Sequence, residues 1–166
     1  MSPVSAQKPE ETAARYDFLK GVLLFAGLDD KALVSLAEAF EDQSCADGER
    51  IVAQGDYGDN LYLVRHGSAA AETGDGYERT ALALFRQGDF FGELALFDRE
   101  PRSATVRAIS PCQILRLGRS QFLTLVESHP QVLWNICQEF ARRIRATSQL
   151  AHLKSTAGKL IASRDV

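Results

Sequence analysis

Phe90-Phe91-Gly92-Glu93-Leu94-Ala95-Leu96-Phe97, followed by Pro101-Arg102-Ser103-Ala104-Thr105-Val106, puts a glycine, a carboxylate, a guanidinium and a hydroxyl on one short loop. Gly92 lacks a Cβ, so the backbone there can approach a ligand closely and turn the following amides toward an anion. Glu93 is an acceptor suited to hydroxyls. Arg102 offers a planar fork of donors that matches phosphate oxygens bidentately, and Ser103 adds a small neutral donor beside it. Taken singly, these residues would be a turn glycine and a surface ion pair. Taken jointly, they describe a receptor for a molecule carrying a phosphate and a sugar.

Outward from this loop, between about Gln43 and Leu117, short strands alternate with glycine turns: Arg50–Gln54, Leu61–Val64, Ser68–Thr73, Arg79–Phe85, Ser103–Ala108 and Gln113–Leu117. Gly74-Asp75-Gly76 suits a hairpin connection. Many short strands with regular turns indicate a sandwich or barrel and not a parallel α/β sheet. Before the strands, Thr12 to Leu24 favours helix, and Asp29 or Asp30 can cap a second helix carrying Leu33, Leu36, Ala37 and Phe40 on one face. After them, Ser120 is expected to cap a short helix to about Glu127, and an uninterrupted helical pattern runs from Gln131 to about Lys154. The expected organisation is a disordered tail (1–11), N-terminal helices (12–42), a β barrel (43–118), C-terminal helices (119–155) and a short tail (156–166).

The long helix outruns one small barrel and is expected to find a partner, a homodimer through this helix being the first choice. Its apolar positions fall in two adjacent stripes, Phe140, Ile144, Thr147, Ala151 and Ala146, Leu150, Leu153, Ala157. Neither is a strong leucine zipper, so packing on the chain's own barrel stays open.

The 166 residues suffice for one domain with its own core, and 45% apolar with 25% charged residues is ordinary for a soluble globular protein. No run is long enough to span a membrane, and the polar N-terminus has no apolar signal region, so a cytoplasmic location is expected. Cys45, Cys112 and Cys137 have no metal-ligand or redox spacing and are expected as three buried thiols; His66, His129 and His152 are equally scattered, so no metal is expected. Charge is uneven: residues 1–101 hold 9 basic against 19 acidic side chains, and 102–166 hold 10 against 3. The basic excess on the C-terminal helix is read first as a solvated face, with an anionic partner as the alternative.

The run FGELALFDREPRSATVRA resembles the phosphate-binding cassette of the cyclic-nucleotide-binding domain family, GERIVAQGDYGDNLYLVRHGSA resembles that family's glycine-marked strands, and FAGLDDKALVSLAEAF its helical lead-in. The likeness implies a mainly β fold, a double-stranded β-helix (jelly-roll) barrel with N-terminal helices and a long C-terminal helix. It also implies roles. Arg102 and Ser103 would hold the cyclic phosphate, Glu93 the ribose 2′-hydroxyl, and the amides of Leu94 and Ala95 would be supporting donors. The segment Ala141–Ser148 is similar to the dimerising helix of the bacterial catabolite-activator (cyclic-AMP receptor) family. Matching positions make Arg143 a capping cation and Thr147 and Ser148 adenine contacts, with the serine supplied by a partner copy.

The resemblance runs from about Phe18 to about Leu153, and only about a dozen residues come after it where activator proteins continue into a helix-turn-helix domain. Specific DNA binding by this chain alone is therefore not expected. The expected function is a cyclic-nucleotide receptor, for cyclic AMP by the Thr147-Ser148 pair, with cyclic GMP as alternative because Ser103 puts a hydroxyl beside Arg102. Its output would be movement of the C-terminal helix, read by an unidentified effector protein. A sensory partner or truncated form of a transcription regulator is the second reading, and the detached regulatory end of a channel or kinase another. An enzyme is not expected: no metal triad, useful carboxylate pair or Ser-His arrangement is present.

Overall fold

A computed structural model describes the backbone of residues 4–74 and 79–162 and the side chains of residues 9–74 and 79–149. Among the described residues, five α-helices and eight strands run in the order α1 (Val4–Lys20), α2 (Asp30–Ala39), β1 (Glu41–Cys45), β2 (Arg50–Val52), β3 (Asn60–His66), β4 (Ala69–Thr73), β5 (Thr80–Phe85), β6 (Phe90–Phe91), α3 (Leu94–Asp98), β7 (Thr105–Ala108), β8 (Cys112–Gly118), α4 (Arg119–Ser128) and α5 (Pro130–Ala162). The strands pair antiparallel in two four-stranded sheets, ordered β1-β8-β3-β6 and β2-β7-β4-β5. This is the jelly roll that the resemblance implies.

The period-2 geometry of β3 explains the layering. Leu61 and Leu63 point to one face and join Phe90, Leu115 and Leu117 in a core shared with Leu33, Leu36, Phe40, Phe122, Val132 and Ile136 of the helices. Tyr62 and Val64 point to the other and join Phe91, Ile114, Phe85 and Val106 inside the barrel. Strand β3 is thus buried on both faces, which is why Leu61–Val64 reads as a continuous apolar run. The Phe90-Phe91 pair is divided between the two cores, and the cassette starts where they meet.

Several boundaries differ from expectation. The expected tail 1–11 is helical from Val4, because the good helix formers Ala6, Gln7, Lys8, Glu10 and Glu11 extend α1 toward the N-terminus and Pro9 lies near its start. Arg15 anchors this helix, donating to the Phe40 carbonyl and pairing with Asp42 at 3.4 Å. Asp29 caps α2, accepting from the Ala32 amide at 2.8 Å. Ser120 does not cap α4: Gly118 holds the N-cap position, and the Ser120 hydroxyl donates to Gln121 instead. The C-terminal helix continues to Ala162, past the expected stop near Lys154. At 1.5 Å per residue its 33 residues span about 50 Å. Cys45 and Cys112 are buried, but Cys137 is exposed on α5. Gly74 has the positive φ a hairpin turn needs, while Asp75 and Gly76 lie outside the described residues.

Candidate functional site

The cassette is built against the end of β3. Gly92 has φ +83°, and a Cβ there would lie 2.7 Å from an Arg102 nitrogen and 2.9 Å from the Asn60 carbonyl oxygen. A side chain is excluded by backbone conformation and by space. The chain beyond Glu93 is not wholly loop: Leu94–Asp98 form one helical turn and a half, closed by Arg99 in the left-handed region at φ 58°. This turn docks through Phe97 edge-on to Phe122 and through Arg119 Nε, which donates to the Leu96 carbonyl at 3.1 Å. Leu94 and Ala95 open it, so their amides have no partner within α3.

Arg102 is only 7% exposed. Its Nη1 donates to the Gly92 carbonyl at 2.7 Å and its Nη2 to the Asn60 carbonyl at 3.1 Å, with the guanidinium 5.6 Å above the Tyr62 ring. Its backbone is tied to the β2–β3 loop, the amide donating to Asp56 at 2.8 Å and the carbonyl accepting from Gly55 at 2.9 Å. Gly58 clears the space beside it, since a Cβ there would overlap the guanidinium. Among the described residues no carboxylate lies within ion-pair distance of Arg102. A buried cation whose hydrogen bonds go to carbonyl oxygens and whose face lies over a ring is a poor stabilising device and a good anion receptor.

Glu93 is buried beside it at 4% exposure. Burial pushes its carboxyl above the ordinary glutamate range, and its own backbone amide, Arg143 and Arg102 pull it back. Arg143 comes from α5. Its Nη1 lies 3.3 Å from Glu93 Oε1, its Nη2 donates to the Phe90 carbonyl at 2.7 Å, and its Nε donates to Glu139 at 2.7 Å. The same guanidinium sits 4.6 Å from the Phe90 ring centre and 5.5 Å from that of Phe85. Arg142 closes the cluster from the solvent side with a forked bond to Glu139 at 2.6 and 2.7 Å. Burial alone would raise the Glu139 carboxyl, but the bonds from Arg142 and Arg143 outweigh it and hold it below the ordinary range.

Gly92, Glu93, Leu94, Ala95, Arg102, Ser103 and Arg143 line one cleft of about 320 Å³. Phe90, Glu139 and Arg142 line a second cleft of about 650 Å³ beside the turn before α2, and a further cleft of about 650 Å³ lies between α2 and α4. Seven of the nine residues singled out from sequence therefore converge. Thr147 and Ser148 do not: both are exposed beyond the cleft, and the Thr147 hydroxyl donates to the Arg143 carbonyl at 3.0 Å. Sequence reading missed the apolar wall of Val52, Ala71, Leu82, Phe85 and Val106. It also missed Glu139 and the carbonyls of Asn60 and Gly92, backbone groups with no side-chain signature.

The model of the cyclic nucleotide-binding domain family matches residues 42–129. A cAMP-dependent protein kinase regulatory subunit of Colletotrichum orbiculare is 38% identical over 110 residues, covering 66% of this chain and 28% of that protein. The cyclic AMP receptor protein of Thermus thermophilus is 35% identical over 128 residues, 76% of this chain and 59% of that protein. The chain thus spans less than two thirds of these relatives' lengths. Among solved structures, the regulatory domain of Toxoplasma gondii PKA with cAMP is similar at a TM-score of 0.70 and 34% identity, over 79% of this chain and 51% of that one. The Thermus thermophilus catabolite activator protein is similar at 0.69 and 34%, over 80% and 63%.

Proposed function

The chain belongs to the cyclic nucleotide-binding domain family, and from that premise we propose that it is a cyclic-AMP receptor signalling through the position of α5. The observation that carries this is Arg102, a buried guanidinium with carbonyl partners only, opening into a cleft with a buried carboxylate at its side. The cyclic phosphate supplies the missing anion, with Ser103 and the Leu94 and Ala95 amides as further donors. The ribose 2′-hydroxyl donates to Glu93, and the base lies along Leu82 and Phe85 on the apolar wall. The relatives' names add support, since kinase regulatory subunits and a bacterial receptor are both cAMP proteins.

The signalling step arises from competition for Glu93. Its Oε1 faces Arg143 of α5, so a ribose hydroxyl entering there changes how that helix is held. Ligand shifts α5 only to the extent that it binds one helix position better than the other. The exposed Thr147 and Ser148 contact the adenine after α5 moves or from a second copy docked along it. Ile144, 65% exposed on the same helix, favours such a copy over packing on the chain's own barrel. A kinase catalytic subunit or a transcription regulator is the downstream effector.

Isothermal titration with cyclic AMP and cyclic GMP tests the reading. Micromolar or tighter binding of cyclic AMP, at least tenfold tighter than cyclic GMP, is expected. No heat with either nucleotide from folded protein would overturn it. Hydrogen exchange along α5 with and without ligand tests the output, and unchanged protection would remove the helix from the mechanism.

A further inference from the structure

Cys45 and Cys112 are far apart in the chain but face each other as the last rung of the β1–β8 ladder, Cys45 ending one strand and Cys112 opening the other. Each is 4% exposed, and each thiol perturbs the ionisation of the other. Directly opposed residues in antiparallel strands have Cα atoms about 4.5–5.5 Å apart, inside the window of about 4.4–6.8 Å that a disulfide needs. Their Cβ atoms, about 4.5–5.5 Å apart in such pairs, must close in slightly, so the bond would be strained and readily reduced.

We propose that Cys45 and Cys112 form an oxidisable pair that closes to a cross-strand disulfide, clamping β1 to β8, when hydrogen peroxide is supplied. The Cys45 thiolate attacks one peroxide oxygen, the O–O bond breaks and the departing hydroxide takes up a proton. The resulting sulfenic acid is attacked by Cys112 sulfur, the S–O bond breaks, water leaves and the S–S bond forms. Two thiols and one peroxide give one disulfide and two waters.

Cys45 is the better first nucleophile. Burial pushes both thiols up, Cys112 to about 11, but Gln43 Nε2 donates to Cys45 Sγ at 3.6 Å and eases its ionisation. Glu49 works against it. Burial makes the reaction slow, and the position of the rung makes it accessible: Ser44, Ala46, Pro111 and Gln113 around it are all exposed, so fraying at the ladder's end admits a small oxidant. A bulky disulfide reagent is expected to react more slowly than hydrogen peroxide. The rung belongs to the barrel core that holds Tyr62 and Phe91, the rings beneath the cassette.

The test treats the purified chain with graded hydrogen peroxide, unfolds it in acid, and counts alkylatable thiols together with the intact mass. The count is expected to fall from three to one, with a mass loss of two hydrogens and a Cys45–Cys112 linked peptide, all reversed by dithiothreitol. Cys137→Ser should leave this crosslink intact, and Cys45→Ala and Cys112→Ala should each abolish it. Three persistent thiols, oxygen adducts on one cysteine without a crosslink, or a bond only between Cys137 residues of two chains would each overturn the proposal.

Discussion

Arg102 and Arg143 face one cleft from opposite walls and are satisfied in opposite ways. Arg102, on the barrel, is buried and its guanidinium hydrogen-bonds, among the described residues, to carbonyl oxygens alone. Arg143, on a helix whose side chains are exposed from Ile144 to Gln149, has carboxylates on two sides in Glu93 and Glu139. On the proposed reading, an anionic ligand meets the electrostatic demand of the first, and the second loses a partner when Glu93 turns to a sugar hydroxyl. That reading would assign affinity to the barrel wall and responsiveness to the helix wall.

The largest expected effect breaks the barrel side. Truncating one partner of a buried, hydrogen-bonded charge pair costs about 2–5 kcal/mol, so Arg102→Ala should weaken cyclic-AMP binding by roughly 30-fold to several thousandfold by calorimetry. Next is Gly92→Ala, which forces a side chain into φ +83° and against the Arg102 guanidinium. A loss of about 2 kcal/mol or more of folding stability is expected in urea denaturation. No loss would mean that the turn is not held as described.

Both of these residues were legible in the sequence because glycine, carboxylate and guanidinium fall within one short run, and local spacing carries through folding almost unchanged. The barrel was legible for the same reason, its strands being separated by turn glycines. What stayed hidden depends on distant pairings. Asn60 reaches Arg102 through a carbonyl, which every residue possesses, and Cys45 meets Cys112 only through the β1–β8 register. The Leu94–Asp98 turn is too short for periodicity to register. Helix ends failed at both termini, since Gly158 and the polar residues around it look like a stop and yet are carried in α5 to Ala162.

The helix wall gives smaller effects. Arg143→Ala should change cyclic-AMP affinity by less than tenfold, as expected of a half-exposed ion pair of about 1 kcal/mol, while altering α5 protection in hydrogen exchange. An effect as large as that of Arg102→Ala would erase the distinction between the walls. Smallest are the pH effects, which run in opposite senses. Glu93 is raised in the fold, so its contribution is complete below the ordinary glutamate range and is lost as pH rises through its folded value. Glu93→Gln in the free protein should therefore be neutral to stabilising at pH 7 relative to pH 4. Glu139 is lowered, so its contribution is present above the ordinary range and lost as pH falls. Glu139→Gln should cost about 1 kcal/mol or less at pH 7 and nothing at acid pH, as read from urea midpoints.

If the buried Arg102 guanidinium is the receptor for the cyclic phosphate, calorimetry of cyclic AMP against adenosine, in the native chain and in Arg102→Ala, will show it. The native chain should bind cyclic AMP at least a hundredfold more tightly than adenosine, and the variant should bind the two alike. Equal affinity for both in the native chain, or a preference for cyclic AMP that survives loss of the guanidinium, would contradict it.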